Sequence, residues 1–118
     1  MLGCASCTTL RREQSTIPDS AVRTAKPSVA WEVIEPTGAL LGYAVRFDGT
    51  GGDRFFSVRN VWHQELGMVD ASGRAWRRRP FTEDPEWLGT GTVAEGVLSI
   101  LAAPEGATLQ EVPLEALR

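Results

Sequence analysis

Two cysteines near the amino terminus are the residue types best suited to redox or metal chemistry. Cys4 and Cys7 form a C-x-x-C pair and are the only cysteines among 118 residues. A redox dithiol needs a lowered thiol pKa, usually supplied by a helix amino terminus in a βαβ unit, and the sequence predicts neither nearby. A structural zinc site needs four ligands, and His63 is the only histidine. We therefore expect no metal site and no cofactor, and a C-x-x-C redox or metal protein is a weaker alternative.

Nucleophilic catalysis would need a nucleophile, a base and an orienting acid, and Ser57, His63 and Asp70 supply those residue types. Spacing cannot establish such a set, because its members meet through tertiary structure. We expect Ser57 to point outward from a strand. A second candidate for acid–base catalysis is the group of carboxylates Glu83, Asp84 and Glu86. No apolar pocket is predicted around these carboxylates that would raise the pKa of one of them. The prediction is a protein without catalytic residues, and an enzyme is the weaker alternative.

A glycine motif precedes the predicted helix. Residues 89–94 read G-x-G-x-x-A, with Glu111 about 20 residues later, as in dinucleotide-binding sites. The preceding residues form an acidic loop rather than a buried strand, and no second βαβ half follows. We interpret these glycines as permitting a tight turn into a capped helix.

An arginine-rich strand is the best candidate for an interaction surface. Residues 74–79 read Arg-Ala-Trp-Arg-Arg-Arg. Guanidinium groups beside a tryptophan can bind phosphates or anionic glycans by paired hydrogen bonds and stacking. The alternative is a charged edge strand paired with the acidic loop. The candidate surface comprises Trp76, Arg77, Arg78, Arg79, Trp62 and His63.

The first four residues resemble the end of a bacterial lipoprotein signal peptide. Leu2 and Gly3 precede Cys4, and small residues follow it. The family has an apolar residue, usually leucine, three positions before the cysteine, where Met1 stands here. Many bacterial start codons are read internally as leucine or valine, so the basic and apolar signal regions are expected upstream of Met1. The resemblance implies that Cys4 carries a diacylglycerol and an acylated amino group.

This resemblance predicts a small cell-envelope lipoprotein with a non-catalytic binding or structural domain. Its partner would be a membrane, reached through the lipid on Cys4, and Ala5 resembles family members sorted to the outer membrane and facing the periplasm. A protein or anionic-glycan partner stays open. The alternative is a soluble cytoplasmic domain that starts at Met1.

The composition of the chain argues against two other classes of protein, nucleic-acid binders and transmembrane proteins. The net charge of −3 and pI near 5.1 do not favour a nucleic-acid binder. No apolar run approaches the roughly 18 residues of a membrane span. Residues 1–28 are rich in serine and threonine and lack apolar periodicity, which predicts a disordered tether. Residues 29–118 are predicted to form one small domain.

Short alternating segments separated by turn residues predict an antiparallel meander. Its strands are expected at residues 30–35, 40–47, 54–60, 66–69 and 74–78. Residues 81–91 are expected to form a loop. Thr92 and Glu95 form a capping box for a helix at about 92–103, and Thr108 to Val112 is expected to be an edge strand. The predicted fold class is α+β, mainly β, a small curved sheet or roll with one helix over its open face.

Overall fold

A computed structural model describes residues 25–49, 53–79, 81–82 and 84–117. These residues form one seven-stranded sheet, one α-helix and a short 3₁₀ helix. The elements in chain order are β1 Lys26–Ile34, β2 Leu40–Asp48, β3 Arg54–Arg59, β4 Glu65–Asp70, β5 Arg74–Arg77, β6 Glu86–Thr90, α1 Val93–Ile100, β7 Thr108–Val112 and the 3₁₀ helix Leu114–Leu117.

The sheet is an antiparallel meander with one return. Its strand order is β6-β5-β4-β3-β2-β1-β7, so six strands follow one another before α1 crosses back and β7 joins the far edge. Every strand pair is antiparallel. The predicted class, mainly β with one helix, is therefore confirmed as an open sheet.

Two sequence expectations about strand positions are wrong. β1 begins at Lys26 rather than near Val29, and Lys26 and Pro27 pair with Asp48 and Phe47. The register is irregular between Pro27 and Val29, which explains why the sequence shows no alternation there. The expected loop at 81–91 contains β6, which pairs with β5.

The helix covers one face of the sheet, called here the helix face. Apolar side chains from β1 to β5 meet the buried helix residues Val97 and Ile100 on this face. Gly96 is also buried, and a Cβ there would lie 3.0 Å from Val69, so the absence of a side chain lets α1 approach β4 closely. The sheet residues of this core are Val33, Ala44, Val58, Val69 and Ala75.

The helix begins as the sequence predicts. The Thr92 hydroxyl accepts a hydrogen bond from the Glu95 amide at 3.1 Å, and the Glu95 carboxylate accepts one from the Thr92 amide at 2.9 Å. These contacts with Thr92 lower the pKa of Glu95 below its ordinary value. The helix ends earlier than expected, because Ala102 has a φ of 51° and the Ala103 amide bonds to the Leu98 carbonyl.

Replacement of the cap, Thr92→Ala, is expected to lower the free energy of unfolding by about 1 kcal/mol at pH 7. Because folding lowers the pKa of Glu95, its contribution is complete above pH 4.5 and is lost as pH falls further. Thr92→Ala keeps the backbone amide that bonds to Glu95, so the pH test uses Glu95→Gln. Urea unfolding should show a loss for Glu95→Gln at pH 7 that shrinks at pH 3. Thr90→Ala, at an exposed neighbouring position, is the control. A loss from Glu95→Gln that is equal at both pH values would contradict this assignment.

The other side of the sheet, called the opposite face, is also partly buried. Adjacent strands contribute facing pairs there, Phe47 with Phe55 and Val45 with Ser57. Ser57 is 1% exposed, so the expectation that it points into solvent is wrong. The 3₁₀ helix lies beside β1. Both faces of this sheet therefore carry buried side chains.

Candidate functional site

The residues of the predicted arginine–tryptophan surface do not share one exposed face. Trp76 is 2% exposed and packs against Trp87 with ring centroids 5.3 Å apart. The next residue, Arg77, is half-buried and donates a hydrogen bond to the Ser99 carbonyl at 3.1 Å. Trp76 is thus a core residue, and Arg77 holds the end of α1 against the sheet.

The following arginines are exposed but engaged in contacts within the domain. Arg78 forms an ion pair with Glu65 at 2.6 Å. Arg79 donates to the backbone carbonyls of Asp84 and Pro85 at 3.1 and 3.3 Å. Arg79 therefore bonds to the start of the acidic segment through its backbone rather than through carboxylates.

Trp62 and His63 lie in the tight turn between β3 and β4. The side chain of Asn60 organises this turn, accepting hydrogen bonds from the amides of Trp62 and Gln64, both at 3.0 Å. His63 has a φ of 63° and stacks on Tyr43 at 4.7 Å. Trp62 points away from these contacts and is 75% exposed. Of the six predicted surface residues, Trp62 is the most exposed aromatic.

A polar chain crosses the opposite face beside this turn. Glu65 accepts a hydrogen bond from the Ser57 hydroxyl at 2.7 Å while it pairs with Arg78. Arg59 donates to the same Ser57 oxygen at 3.2 Å, and its guanidinium lies 5.6 Å from the centre of the Phe47 ring. These contacts satisfy the buried hydroxyl and fix Arg59 in place.

The structure does not assemble a catalytic triad from the residues that sequence spacing suggested. Ser57 bonds to Glu65 and Arg59, whereas His63 stacks on Tyr43. Asp70 lies at the β4–β5 turn and accepts hydrogen bonds from Ser72 and Arg74. The three groups serve separate local structures.

An open groove of about 380 Å³ lies between β2 and the 3₁₀ helix. Val45 and Phe47 line one side, and Leu114 and Leu117 line the other. Arg59 contributes a positive group to the lining and Glu115 a negative one. Such a groove offers apolar contact together with one group of each charge. No sequence pattern predicts this groove, because its lining comes from strands and a helix that are far apart in the chain.

The glycine motif before α1 has a structural role. The Gly91 amide donates to the Gly73 carbonyl at 3.2 Å, and any side chain at Gly73, whose φ is +91°, would overlap the Gly91 carbonyl. The Glu95 carboxylate lies where an anion would meet the first turn of α1. The motif thus joins two turns closely and supports the capped helix.

The described part of the chain contains no group of three or more histidine, cysteine or acidic side chains placed to hold a metal ion. None of the helices within the described ranges is long and apolar enough to cross a membrane. Cys4 and Cys7, the predicted lipid site and its neighbour, lie outside the described residues.

The fold and its contacts define a mainly antiparallel α+β domain. Comparison with protein families, curated proteins and solved structures finds no match to this sequence.

Proposed function

We propose that this protein is a lipid-anchored, non-catalytic binding domain of the bacterial cell envelope, attached through Cys4. The observation that carries the proposal is the Leu2-Gly3-Cys4 sequence, with its resemblance to the lipoprotein signal. In that class the cysteine sulfur bears a diacylglycerol, and the cysteine amino group bears a third acyl chain.

The position of the folded domain supports this arrangement. The first strand begins at Lys26, about 22 residues after Cys4. That length of chain can span at most about 75 Å. The nine-residue strand β1, which is one of the longest elements of the domain, is roughly 30 Å long, less than half of that span. A domain attached in this way can therefore present any of its surfaces to a membrane or to a partner beside it.

The groove on the opposite face supports a binding role. Arg59 is held by Ser57 at the side of this groove, whose lining combines apolar side chains with one guanidinium and one carboxylate, Glu115, and can bind a small, partly apolar ligand.

The test is membrane association of the protein expressed from its chromosomal gene. A single acyl chain anchors a protein marginally, at about 0.8 kcal/mol per buried CH₂, whereas three chains hold it firmly. We expect the wild-type protein to partition with detergent and the Cys4→Ser variant to move into the aqueous phase. Cys7→Ser is the matched control and should partition like wild type.

Aqueous partitioning of the wild-type protein would instead support the alternative, a soluble cytoplasmic domain. Equal effects of Cys4→Ser and Cys7→Ser would indicate that the pair acts through its thiols.

A further inference from the structure

The large exposed hydrophobic side chains of the described domain gather at one end of the sheet. Strand pairing places Ile34, Leu40, Arg59, Glu65 and Arg77 at the same end. Beyond these residues lie the turns 35–39 and 60–64 and the described residues between β5 and β6, which are 78–79, 81–82 and 84–85. The chain that leaves α1 returns to β7 beside them. We call this the aromatic end; its exposed hydrophobics are Leu40, Val61, Trp62, Phe81 and Trp87.

The other end of the sheet has a different chemistry. Lys26 and Asp48 pair there, Arg54 is exposed, and the β4–β5 turn carries Ser72 and Arg74. The described large hydrophobic residues that are exposed lie away from this end. The exposed side chains are therefore segregated along the strands, apolar at the aromatic end and polar at the other, called the polar end. The groove of Phe47, Leu114 and Leu117 also lies toward the polar end, but these side chains are half-buried.

Local structure holds Trp62 outward. Asn60 bonds to two amides of the turn, its own amide bonds to the Gln64 carbonyl, and His63 is stacked on Tyr43. This bonded turn keeps the indole 75% exposed. Phe81, in the segment between β5 and β6, is fully exposed. Two aromatic rings thus project from separate turns of one end.

We propose that the aromatic end docks on the surface of a lipid bilayer, with Trp62 and Phe81 entering the interfacial region. This inference names the partner of the proposed lipid-anchored protein and rests on that function for the choice of a membrane over a protein. Indole rings favour the bilayer interface, and a projecting ring needs no complementary socket there. A protein partner would need a shaped pocket for each ring.

The charge of this end specifies which lipid surface it suits. Arg78 and Arg79 are its exposed cations, and they are opposed by the carboxylates of Glu35, Asp84, Glu86 and Glu105. Arg78 is moreover paired with Glu65. The aromatic end is therefore not cationic, and its docking is driven by apolar contact with a zwitterionic surface rather than by attraction to anionic headgroups.

The test uses the full chain carrying Cys4→Ser, so that no lipid is attached, and vesicles of phosphatidylcholine. The parent is expected to cosediment with vesicles and to show a blue-shifted tryptophan emission. Trp62→Ser and Phe81→Ser should each lower the partition coefficient about tenfold, and together about a hundredfold. Arg74→Ser, at the polar end, is the control and should bind like the parent. Unchanged thermal unfolding would show that each variant is folded.

Three results would overturn the docking proposal. The double variant could bind vesicles as well as the parent, or binding could require phosphatidylglycerol, which would indicate an electrostatic contact. Gel filtration could instead show a dimer that is lost with Trp62→Ser, which would make a second copy of the chain the occupant. The experiment is independent of Cys4, so its failure leaves lipid attachment to be judged from the native protein.

Discussion

Replacement of Gly67 by alanine is expected to lower the free energy of unfolding by about 3 kcal/mol, a loss at the upper end of what overpacking costs. Gly67 lies on β4 beneath the helix, where a Cβ would overlap the Trp76 carbonyl oxygen of β5 and lie 3.1 Å from Ile100. The backbone oxygen cannot turn aside as a side chain can, so β4 and β5 must separate or α1 must lift.

Thermal unfolding measures this effect directly. For a domain of about 90 residues the expected loss corresponds to a fall in Tm of roughly 12–20 °C. Gly38→Ala is the matched control, because Gly38 has a φ of +92° but open space around it. Backbone strain alone should then cost about 1 kcal/mol. If Gly67→Ala proves no more damaging than Gly38→Ala, the close approach of β4, β5 and α1 is wrong.

The second large effect is expected at Glu65. Glu65→Ala removes the acceptor of the buried Ser57 hydroxyl and the partner of Arg78 at once. The exposed ion pair contributes little, whereas an unsatisfied buried donor costs about 1–3 kcal/mol. We therefore expect a loss of about 2 kcal/mol, most of it from Ser57.

A double-mutant cycle separates the two contributions. Ser57→Ala combined with Glu65→Ala should be less destabilising than the sum of the single variants, because the hydroxyl that lacks an acceptor is gone. Glu111→Ala, at an exposed position on the edge strand β7, is the control. Strict additivity would show that Glu65 acts through Arg78 alone.

The regular parts of the fold could be predicted from local patterns. Alternation and turn residues placed β2 to β5, and the Thr92 and Glu95 pair placed the start of α1. β6 was missed because Pro85 and acidic residues surround a short segment, and because its pairing with β5 is tertiary. The early start of β1 was missed for a similar reason, since its first residues pair irregularly with β2.

The candidate sites were less predictable, because the residues next to a side chain in the sequence do not determine which groups it contacts in the folded domain. The three consecutive arginines suggested one shared binding surface. In the structure Arg77 donates a hydrogen bond to α1, Arg78 pairs with Glu65, and Arg79 donates hydrogen bonds to backbone carbonyls. Ser57 was expected to face solvent, because only one face of the sheet was expected to be covered by a helix. The aromatic end follows from strand register, which joins turns far apart in sequence.

The proposed lipid on Cys4 is tested most directly by the mass of the amino-terminal peptide of the protein purified from membranes of its native host. We predict a peptide that begins at Cys4, with a diacylglycerol on sulfur and a fatty acid on the amino group. A peptide that retains Met1, or one with an unmodified Cys4 thiol, would show that Cys4 is not a lipid attachment site.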